Sequence, residues 1–436
     1  RARDLLDWSE ADEELDKLHD AFRITSNVQF QPSLRREKLP KIKGVEYEFI
    51  SRGFFNYVHI TKPAEFLKHR KTIFRASPIT SMLFDRLSMD EAKELVNGGD
   101  LGQIRELGFG TDVAPEAISV LGNHRDAVGV HRLELVSVSE SFEQIEAIAS
   151  GFHWTGVKSL DLHPLILEVN RDRDSLLAEL LRRPQFRRIQ RLIAPRMHLG
   201  NATAQTIARV GLTDLRFLDL ADNNIENAGA MAISRSRLLP NLRYLDLHFN
   251  DFTGEAVTAL IATPKLPNLT VLKLGGRYYT ILDLDINKSN LDLKPFTKTA
   301  RGPTLRVLQI DRCNLTEGSL HALAFCPAVQ DLCFFSLASC SIADRELRAL
   351  TAGKGLNRLK ILNLSHNHLT VAGMRTLADW PVIAGLQWLD LSGNKIGDEG
   401  AKALVNCLYL KKLRHLAITG SGTARLRKHF GKNVVP

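Results

Sequence analysis

The chain has 436 residues, of which 44% are hydrophobic, and it carries a formal net charge of +9. A hydrophobic content of this size supports a large folded core and excludes an intrinsically disordered chain. The longest apolar runs, such as Leu165-Ile166-Leu167, are far too short to cross a bilayer, so the sequence predicts no membrane partner.

The first part of the chain precedes any repeat. Residues 1–50 are predicted to form an N-terminal amphipathic helix, over residues 1–22, and then an irregular segment. Residues 51–78 predict a strand–helix cap, with a strand at Phe54–Ile60, an N-cap at Thr61 and a helix that ends near residue 75. This unit would cover the open end of the repeats that follow.

A repeat of 27 residues dominates the segment 79–420. Four copies follow the pattern L-x-x-L-x-L-x-x-N-x-L, and two more carry cysteine in the asparagine position, at Cys313 and Cys340. The six clear copies begin at Leu215, Leu242, Leu305, Leu332, Leu359 and Leu386. Degenerate copies begin at Ile79, Ile104, Val130, Val157, Ile189, Leu269 and Leu413. Because this period lies within the range of roughly 20–29 residues typical of leucine-rich repeats, the sequence predicts about 13 stacked units.

Each unit is predicted to contain one strand and one helix. Leu218 and Leu220 alternate, so both side chains point to the core face of a short strand. Asn223 follows where the chain turns, and its amide can satisfy backbone groups that the turn leaves without partners. Since helices are wider than strands, the stack must curve. The predicted fold is therefore α/β: a right-handed horseshoe solenoid with parallel strands on the concave face and helices on the convex face.

Two units are longer than the others, and a different segment closes the chain. The insertions Pro164–Asp174 and Gly275–Lys294 lie in loops, where they either serve binding or are merely tolerated. Residues 421–436 predict a basic C-terminal cap with a short helix at Thr423–Phe430.

Particular segments carry a resemblance to known families. Ile396-Gly-Asp-Glu-Gly-Ala-Lys-Ala-Leu404 resembles the ribonuclease-inhibitor-like class of leucine-rich repeats. Arg52-Gly53-Phe54 and the ending Leu426-Arg-Lys-His-Phe430-Gly431 are similar to paralogous families of planctomycete bacteria, in which a short companion domain precedes such repeats. The resemblance implies protein interaction and carries no assigned chemistry or site residues.

The third position of each repeat alternates with the core leucines and should face the concave side. It is polar in the first five units, whereas from the sixth unit onward it is mostly apolar or aromatic. The later residues are Phe217, Tyr244, Val271, Val307, Phe334, Ile361, Trp388 and His415. Strand preference alone does not explain the change, because the polar half forms strands too. We expect an exposed apolar stripe that contacts a partner, with Trp388 and Tyr244 as anchors.

The positive charge is concentrated in two segments. Residues 171–209 hold nine arginines and three acidic residues, and residues 411–436 hold seven lysines and arginines and no acid. The possible anion-binding residues are Arg182, Arg183, Arg187, Arg188 and Arg191. They support an alternative function, the binding of nucleic acid or another anionic polymer. A solvated face or a contact with an acidic protein is the competing interpretation.

Catalytic signatures are absent from the sequence. It contains no phosphate loop, dinucleotide fingerprint, H-E-x-x-H helix or nucleophile elbow. His366 and His368 are predicted to be solvated loop residues. Asp219, Asp246 and Asp390 face the concave side, where nearby arginines such as Arg216 favour an ion-pair ladder over acid–base chemistry. We therefore expect no enzyme, cofactor or metal site.

The five cysteines include no C-x-x-C pair, so they predict buried free thiols in a reducing compartment. The leading hypothesis is a cytoplasmic, bacterial recognition module that binds a protein or peptide through its concave face. One version of it makes the chain the sensor or targeting part of a larger polypeptide.

Overall fold

The computed structural model describes residues 39–51, 54–138, 143–164, 173–276, 290–291, 302–315, 317–353 and 355–435. The predicted helix at residues 1–22, the Arg52-Gly53 pair and most of the two insertions lie outside the described residues.

A single sheet of 16 strands runs through the described part of the chain, and its strands follow one another in sequence order. All neighbouring strands are parallel except the first two, which are antiparallel. Helices connect most of the successive strands in the described part of the chain and pack against one another on the opposite side. Thirteen strands correspond to the thirteen predicted units, and the predicted horseshoe solenoid is confirmed.

The first strands of the sheet are β1 Val45–Ser51, β2 Phe54–Ile60, β3 Ser81–Leu87, β4 Glu106–Val113, β5 Arg132–Val138, β6 Ser159–Pro164, β7 Arg191–Ile193, β8 Phe217–Asp219 and β9 Tyr244–Asp246. The others are β10 Val271–Gly275, β12 Val307–Asp311, β14 Phe334–Ser336, β15 Ile361–Asn363, β16 Trp388–Asp390, β17 His415–Ala417 and β18 Val434–Val435. A separate two-stranded sheet pairs β11 Asn290–Leu291 with β13 Asn314–Leu315.

The helices of the first half are α1 Pro63–Ala76, α2 Met89–Asn97, α3 Pro115–Gly122, α4 Glu143–Ser150, α5 Arg173–Arg182, α6 Asn201–Arg209 and α7 Asn227–Arg235. Those of the second half are α8 Gly254–Ala262, α9 Glu317–Ala324, α10 Asp344–Thr351, α11 Val371–Ala378, α12 Gly397–Val405 and α13 Thr423–Phe430.

The core lies between the strands and the helices and is filled by the repeat leucines. Leu218, Leu220 and Leu245 have no exposed surface, and they belong to one continuous hydrophobic cluster that extends along the solenoid. Neighbouring units bury each other's apolar faces, which a single strand–helix unit cannot do alone.

The repeat asparagine has the predicted role. The Asn223 side chain is fully buried; its Oδ1 accepts hydrogen bonds from the backbone N–H groups of Met197 and Leu199 at 3.0 and 2.9 Å. Its Nδ2 donates to the carbonyls of Ala194 and Leu220. Asparagine thus joins the turns of two neighbouring units.

Cysteine fills the same slot in two units, as the repeat pattern predicted. Cys313 and Cys340 are buried free thiols, and the Cys340 Sγ donates to the Ile310 carbonyl at 2.9 Å. Burial raises the pKa of Cys313 to about 12 and raises that of Cys340 as well. Both thiols therefore remain protonated and chemically quiet.

The N-terminal segment corrects two expectations. The end of the segment predicted to be irregular, residues 23–50, is part of a strand: Val45–Ser51 forms β1, because it makes a hairpin with β2 and pairs with it over nearly its full length. Thr61 is not the N-cap of α1, which begins at Pro63 after Lys62. The Thr61 hydroxyl instead donates to the Gly44 carbonyl beside the hairpin. The predicted strand at Phe54–Ile60 is present with the same bounds.

The C-terminal segment contains the predicted basic helix, α13, with the predicted bounds Thr423–Phe430. It is followed by β18, which the sequence did not indicate and which adds in parallel to β17. The last repeat strand therefore has a partner within the chain, which removes an open sheet edge.

Candidate functional site

The eight apolar third-position residues lie on neighbouring strands in one register. We call this set the apolar stripe: Phe217, Tyr244, Val271, Val307, Phe334, Ile361, Trp388 and His415. Each residue pairs with the next across the parallel sheet, from Phe217–Tyr244 to Trp388–His415. Because the core leucines of the same strands point to the helices, the stripe faces the inner side of the solenoid.

The first part of the stripe forms its own hydrophobic cluster, separate from the main core. Phe217, Tyr244 and Val271 make this cluster together with Ile193, and Val307 packs against it. The rings of Phe217 and Tyr244 are stacked, with centroids 4.0 Å apart. The inner face therefore carries a second apolar centre that does not contribute to packing between strands and helices.

Two cations cover the faces of these rings. The Arg191 guanidinium lies 4.1 Å from the centroid of Phe217, and the Lys273 ammonium lies 5.3 Å from that of Tyr244. A cation held over an aromatic face is attracted by the ring quadrupole. The arrangement places one positive charge beside each ring of the stacked pair.

The expectation that the whole stripe is exposed is wrong. Tyr244 is only 2% exposed, and Phe217, Val271, Ile361 and His415 are also buried. Ring stacking and the covering cations account for much of this at Phe217 and Tyr244. Val307, Phe334 and Trp388 are half-buried and are the accessible members.

The far end of the stripe is also aromatic. The rings of Trp388 and His415 are in contact, with centroids 3.8 Å apart. Burial lowers the pKa of His415, so the ring is neutral near pH 7. Within the described residues, its Nδ1 is buried without a hydrogen-bond partner.

Acidic residues form a charged network beside the first stripe residues. The Asp246 carboxylate is buried and accepts hydrogen bonds from the Tyr244 hydroxyl at 3.0 Å and from the His248 imidazole. Its Oδ2 also lies 3.5 Å from the Lys273 Nζ. Although burial lowers the pKa of His248, its hydrogen bond to Asp246 raises that pKa overall.

Asp219 lies next to Asp246 on the neighbouring strand. Burial raises the pKa of Asp219 to about 7, and the adjacent Asp246 carboxylate adds to the rise. The expected ladder between these aspartates and Arg216 is not formed, because Arg216 immediately precedes β8 and its side chain is exposed at the sheet edge. Lys273 and His248 supply the positive charge for Asp246 instead.

The polar half of the inner face contains a second network, around Asp161. This fully buried carboxylate lies 2.7 Å from the Arg132 guanidinium and accepts a hydrogen bond from the Ser159 hydroxyl at 2.8 Å. Arg132 also pairs with Glu134 at 3.0 Å. Because the partners of these charges are fixed within the chain, this half presents a rigid polar surface.

A cavity of about 430 Å³ adjoins the middle of the stripe. Gln309 and Asp311 line it from β12, where they lie on the same face as Val307, and His248 and His366 line it from the loops after β9 and β15. The Asp311 carboxylate accepts hydrogen bonds from the Ser336 hydroxyl, 2.6 Å away, and from the Ala338 backbone N–H. His366 is exposed, as predicted, and so is His368. The cavity is polar and can accommodate a side chain of a bound partner.

The five candidate anion-binding arginines do not form one cluster. Arg182 ends α5 on the outer side and Arg183 follows it; Arg183 pairs with Glu179 at 2.8 Å and Arg182 donates to the Thr206 hydroxyl. Arg187 and Arg188 lie in the loop before β7 and are exposed. Arg191 lies on β7, on the inner face, with Asp161 3.8 Å away. Repeat geometry separates residues that are neighbours in sequence.

Sequence reasoning missed the charged partners of the stripe. Lys273 occupies the fifth repeat position, as Asp219 and Asp246 do in the two preceding units. A comparison of the fifth position across all repeats would have identified these partners, because equivalent positions lie side by side on neighbouring strands. Within the described part of the chain, no group of three or more potential metal ligands occurs, and no helix is long and apolar enough to span a bilayer.

The family model for the Leucine Rich repeat matches four segments of the sequence, residues 211–234, 239–260, 357–378 and 386–405. All four lie among the repeats already described. Among curated proteins, none matches the sequence.

Several solved structures are similar in fold. One is the complex of Rad7 and Elc1 in yeast, with a TM-score of 0.46 and 18% identity over 77% of this chain and 84% of the other. Another is an internalin of Listeria monocytogenes, with a TM-score of 0.45 and 18% identity over 76% of this chain and 88% of the other. TLR13 in complex with ssRNA13 has a TM-score of 0.39 and 14% identity, over 79% of this chain and 56% of the other.

Proposed function

We propose that this leucine-rich-repeat solenoid is a recognition module that binds a protein or peptide through the apolar stripe. The observation that carries the proposal is the line of apolar side chains in one register on the inner face, of which Val307, Phe334 and Trp388 remain accessible. A continuous line of apolar side chains contributes nothing to strand–helix packing there, so contact with a partner is its best explanation.

The accessible members of the stripe define where the partner makes contact. Val307, Phe334 and Trp388 are half-buried, and Trp388 and Phe334 offer the largest rings. Aromatic residues dominate the energetic centres of protein interfaces. We therefore replace Tyr244, one of the two anchors expected from the sequence, with Phe334, because Tyr244 is almost completely covered.

Polar groups around the stripe would orient the partner. The buried His415 Nδ1 has no hydrogen-bond partner within the described residues, and it lies at the end of the stripe beside Trp388. A partner's polar group would satisfy it, and an unsatisfied buried group otherwise carries a cost of about 1–3 kcal/mol. The adjoining cavity offers room for a side chain.

The proposed setting is the cytoplasm of a bacterium, with free thiols kept reduced. We extend the proposal to the companion-domain architecture that the N-terminal and C-terminal segments resemble, in which the solenoid would be the sensor or targeting part of a larger polypeptide. No reaction is proposed, since the carboxylates of the inner face are engaged by groups of the chain itself.

The experiment is affinity capture from the cells that make the protein, followed by measurement of the captured partner's Kd. The Phe334→Ala, Trp388→Ala double variant should bind at least about 30-fold more weakly, the equivalent of 2 kcal/mol. A matched control removes two exposed apolar side chains elsewhere, Phe325 and Leu408, which are 45% and 75% exposed. The Phe325→Ala, Leu408→Ala variant should bind like the wild type. Equal binding by all three proteins would refute the stripe as the binding surface.

A further inference from the structure

The residues that immediately precede the thirteen repeat strands form a continuous line along one edge of the sheet. The line, which we call the edge ladder, consists of Thr80, Arg105, His131, Lys158, Gln190, Arg216, Arg243, Thr270, Arg306, Cys333, Lys360, Gln387 and Arg414. The backbone N–H of each residue donates to the carbonyl of the preceding one at 2.7–2.9 Å. Twelve such hydrogen bonds fix all thirteen residues in one row.

The edge ladder is strongly basic. Seven of its residues are lysine or arginine, one is histidine and none is acidic. Lysine and arginine make up 58 of the 436 residues, so thirteen positions taken at random would hold about two. Five members are exposed, namely His131, Lys158, Arg216, Arg243 and Arg414, and Arg105, Arg306 and Lys360 are half-buried.

The loops beside the ladder add to this charge. Arg187 and Arg188 precede β7, Lys411 and Lys412 precede β17, and all four are exposed. These residues belong to the two basic segments that are more than 200 positions apart in the sequence, and the solenoid places both at the same edge. The acidic residues of these loops largely cancel within their own surroundings, since Asp126 lies 3.8 Å from Arg125 and Asp331 lies 3.4 Å from Arg358. Asp100, before β4, likewise lies 2.8 Å from Arg70, which leaves Asp214 as the other carboxylate in the described loops.

Two titratable members of the ladder respond to the charge of their neighbours. Burial lowers the pKa of His131, and the adjacent Lys158 and Arg105 lower it further. Burial raises the pKa of Cys333, whereas the charges of Arg306 and Lys360 on either side act to lower it. Successive members are therefore close enough for their charges to act together.

We infer that the edge ladder binds the sugar–phosphate backbone of a nucleic acid. Neighbouring strands are about 4.8 Å apart, so the eleven steps from Arg105 to Arg414 span roughly 53 Å before curvature. Five of the seven cationic residues in this row are arginine, which suits repeated phosphate contacts because the guanidinium binds phosphate through two hydrogen bonds.

The edge ladder contains no phenylalanine, tyrosine or tryptophan, and this absence indicates how it would bind a nucleic acid. Proteins that prefer single strands stack the bases on such rings. We therefore expect the edge ladder to contact the phosphate backbone and not to recognise the bases. The preferred ligand is then a duplex, because its phosphates face outward. The apolar stripe lies on the inner face and plays no part, so this inference does not depend on the proposed function.

The test uses the full chain and a labelled DNA duplex of about 20 base pairs, which at 3.4 Å per base pair exceeds the length of the ladder. The edge variant carries Lys158→Gln, Arg216→Gln and Arg414→Gln, three residues that form no ion pair with other described residues. The control variant carries Lys68→Gln, Arg348→Gln and Arg375→Gln, at positions within helices α1, α10 and α11 of the outer side. These residues are also exposed, and the reduction in charge is the same. Circular dichroism and thermal unfolding establish that both variants are folded.

We expect the edge variant to bind the duplex at least about tenfold more weakly than the wild type, with a salt slope smaller by about 0.9 for each phosphate that the variant no longer neutralises. The Kd of the control variant should stay within about threefold of the wild-type value, because the charges it removes lie away from the edge ladder. Equal weakening in both variants would overturn the inference, since net charge alone would then explain binding. So would a wild type that binds polyglutamate of matched charge as tightly as the duplex, because the site would then be one for acidic polypeptides.

Discussion

The rings of Phe217 and Tyr244 stack in parallel on neighbouring strands, with centroids 4.0 Å and planes 5° apart. The Tyr244 hydroxyl is at the same time held by Asp246, 3.0 Å away. One aromatic pair therefore connects the apolar stripe to the charged network. Its residues stabilise the inner face itself, whereas Trp388 remains accessible to a partner.

The different burial of Tyr244 and Trp388 predicts that replacing them with alanine reduces stability to different extents. Tyr244→Ala should lower the free energy of unfolding by about 3 kcal/mol, because it removes a buried ring and one of the donors to Asp246. Trp388→Ala should cost less than half as much, since that side chain is only half-buried. Chemical denaturation of both variants would measure the two effects. Equal destabilisation would mean that Trp388 is as much a part of the packed structure as Tyr244.

A second prediction concerns the asparagine that joins neighbouring turns. Asn223→Ala should destabilise the protein by about 3 kcal/mol, because the backbone N–H groups of Met197 and Leu199 would be left buried without their acceptor. Asn241→Ala is the control, since that exposed amide makes one hydrogen bond, to the Thr213 carbonyl, and should cost about 0.5 kcal/mol. Similar midpoints of thermal unfolding for the two variants would contradict the structural role of the repeat asparagine.

Thiol reactivity provides a third prediction. Cys313 and Cys340 are buried and have raised pKa values, so a thiol reagent should label neither in the native protein. Cys333 and Cys407 are half-buried and should react first. Mass spectrometry of peptides from briefly labelled protein would identify the modified positions. Rapid modification of Cys340 would show that the asparagine slot is open in solution.

The fourth prediction is a dependence of stability on pH. The folded Asp219 carboxyl keeps its proton up to about pH 7, whereas an unfolded aspartate releases it near pH 4. Between these values the folded state binds more protons, so stability falls as the pH rises through this window. Asp219→Asn cannot ionise and should be more stable than the wild type at pH 8, with the difference clearly smaller at pH 5 and absent below about pH 4.

Comparison of Tm at pH 5 and pH 8 would measure this effect. The groups that face Asp219 are Asp246, His248, Lys273 and Arg191, and all of them remain in the variant. Asp398→Asn, at an exposed position in α12, serves as the control and should show the same pH profile as the wild type. A constant difference between the Asp219→Asn variant and the wild type across the range would count against the raised pKa.

Much of the solenoid could be predicted from residue spacing alone. The 27-residue period located all thirteen repeat strands, and the alternation of Leu218 with Leu220 placed both in the core. The slot shared by Asn223 and Cys340 was predictable because each repeat faces the same steric and hydrogen-bonding demands. Repeats make such inference reliable, since local pattern and neighbour contacts coincide.

Which charged residues share a surface could be determined only from the tertiary structure. Sequence position groups Arg182, Arg187 and Arg191 together, but a turn of the solenoid assigns them to the outer side, the sheet edge and the inner face. Conversely, Arg188 and Lys411 are far apart in the chain and lie along the same edge.

Exposure also depended on the assembled sheet. The third-position pattern indicates which side chains face inward, yet Tyr244 is covered and Trp388 is not, because stacking with Phe217 and the position of Lys273 depend on neighbouring strands. The repeat period determines where each residue stands within its unit. Only the packing of one unit against the next decides which inward-facing side chains remain accessible, because the groups that cover the others come from neighbouring units.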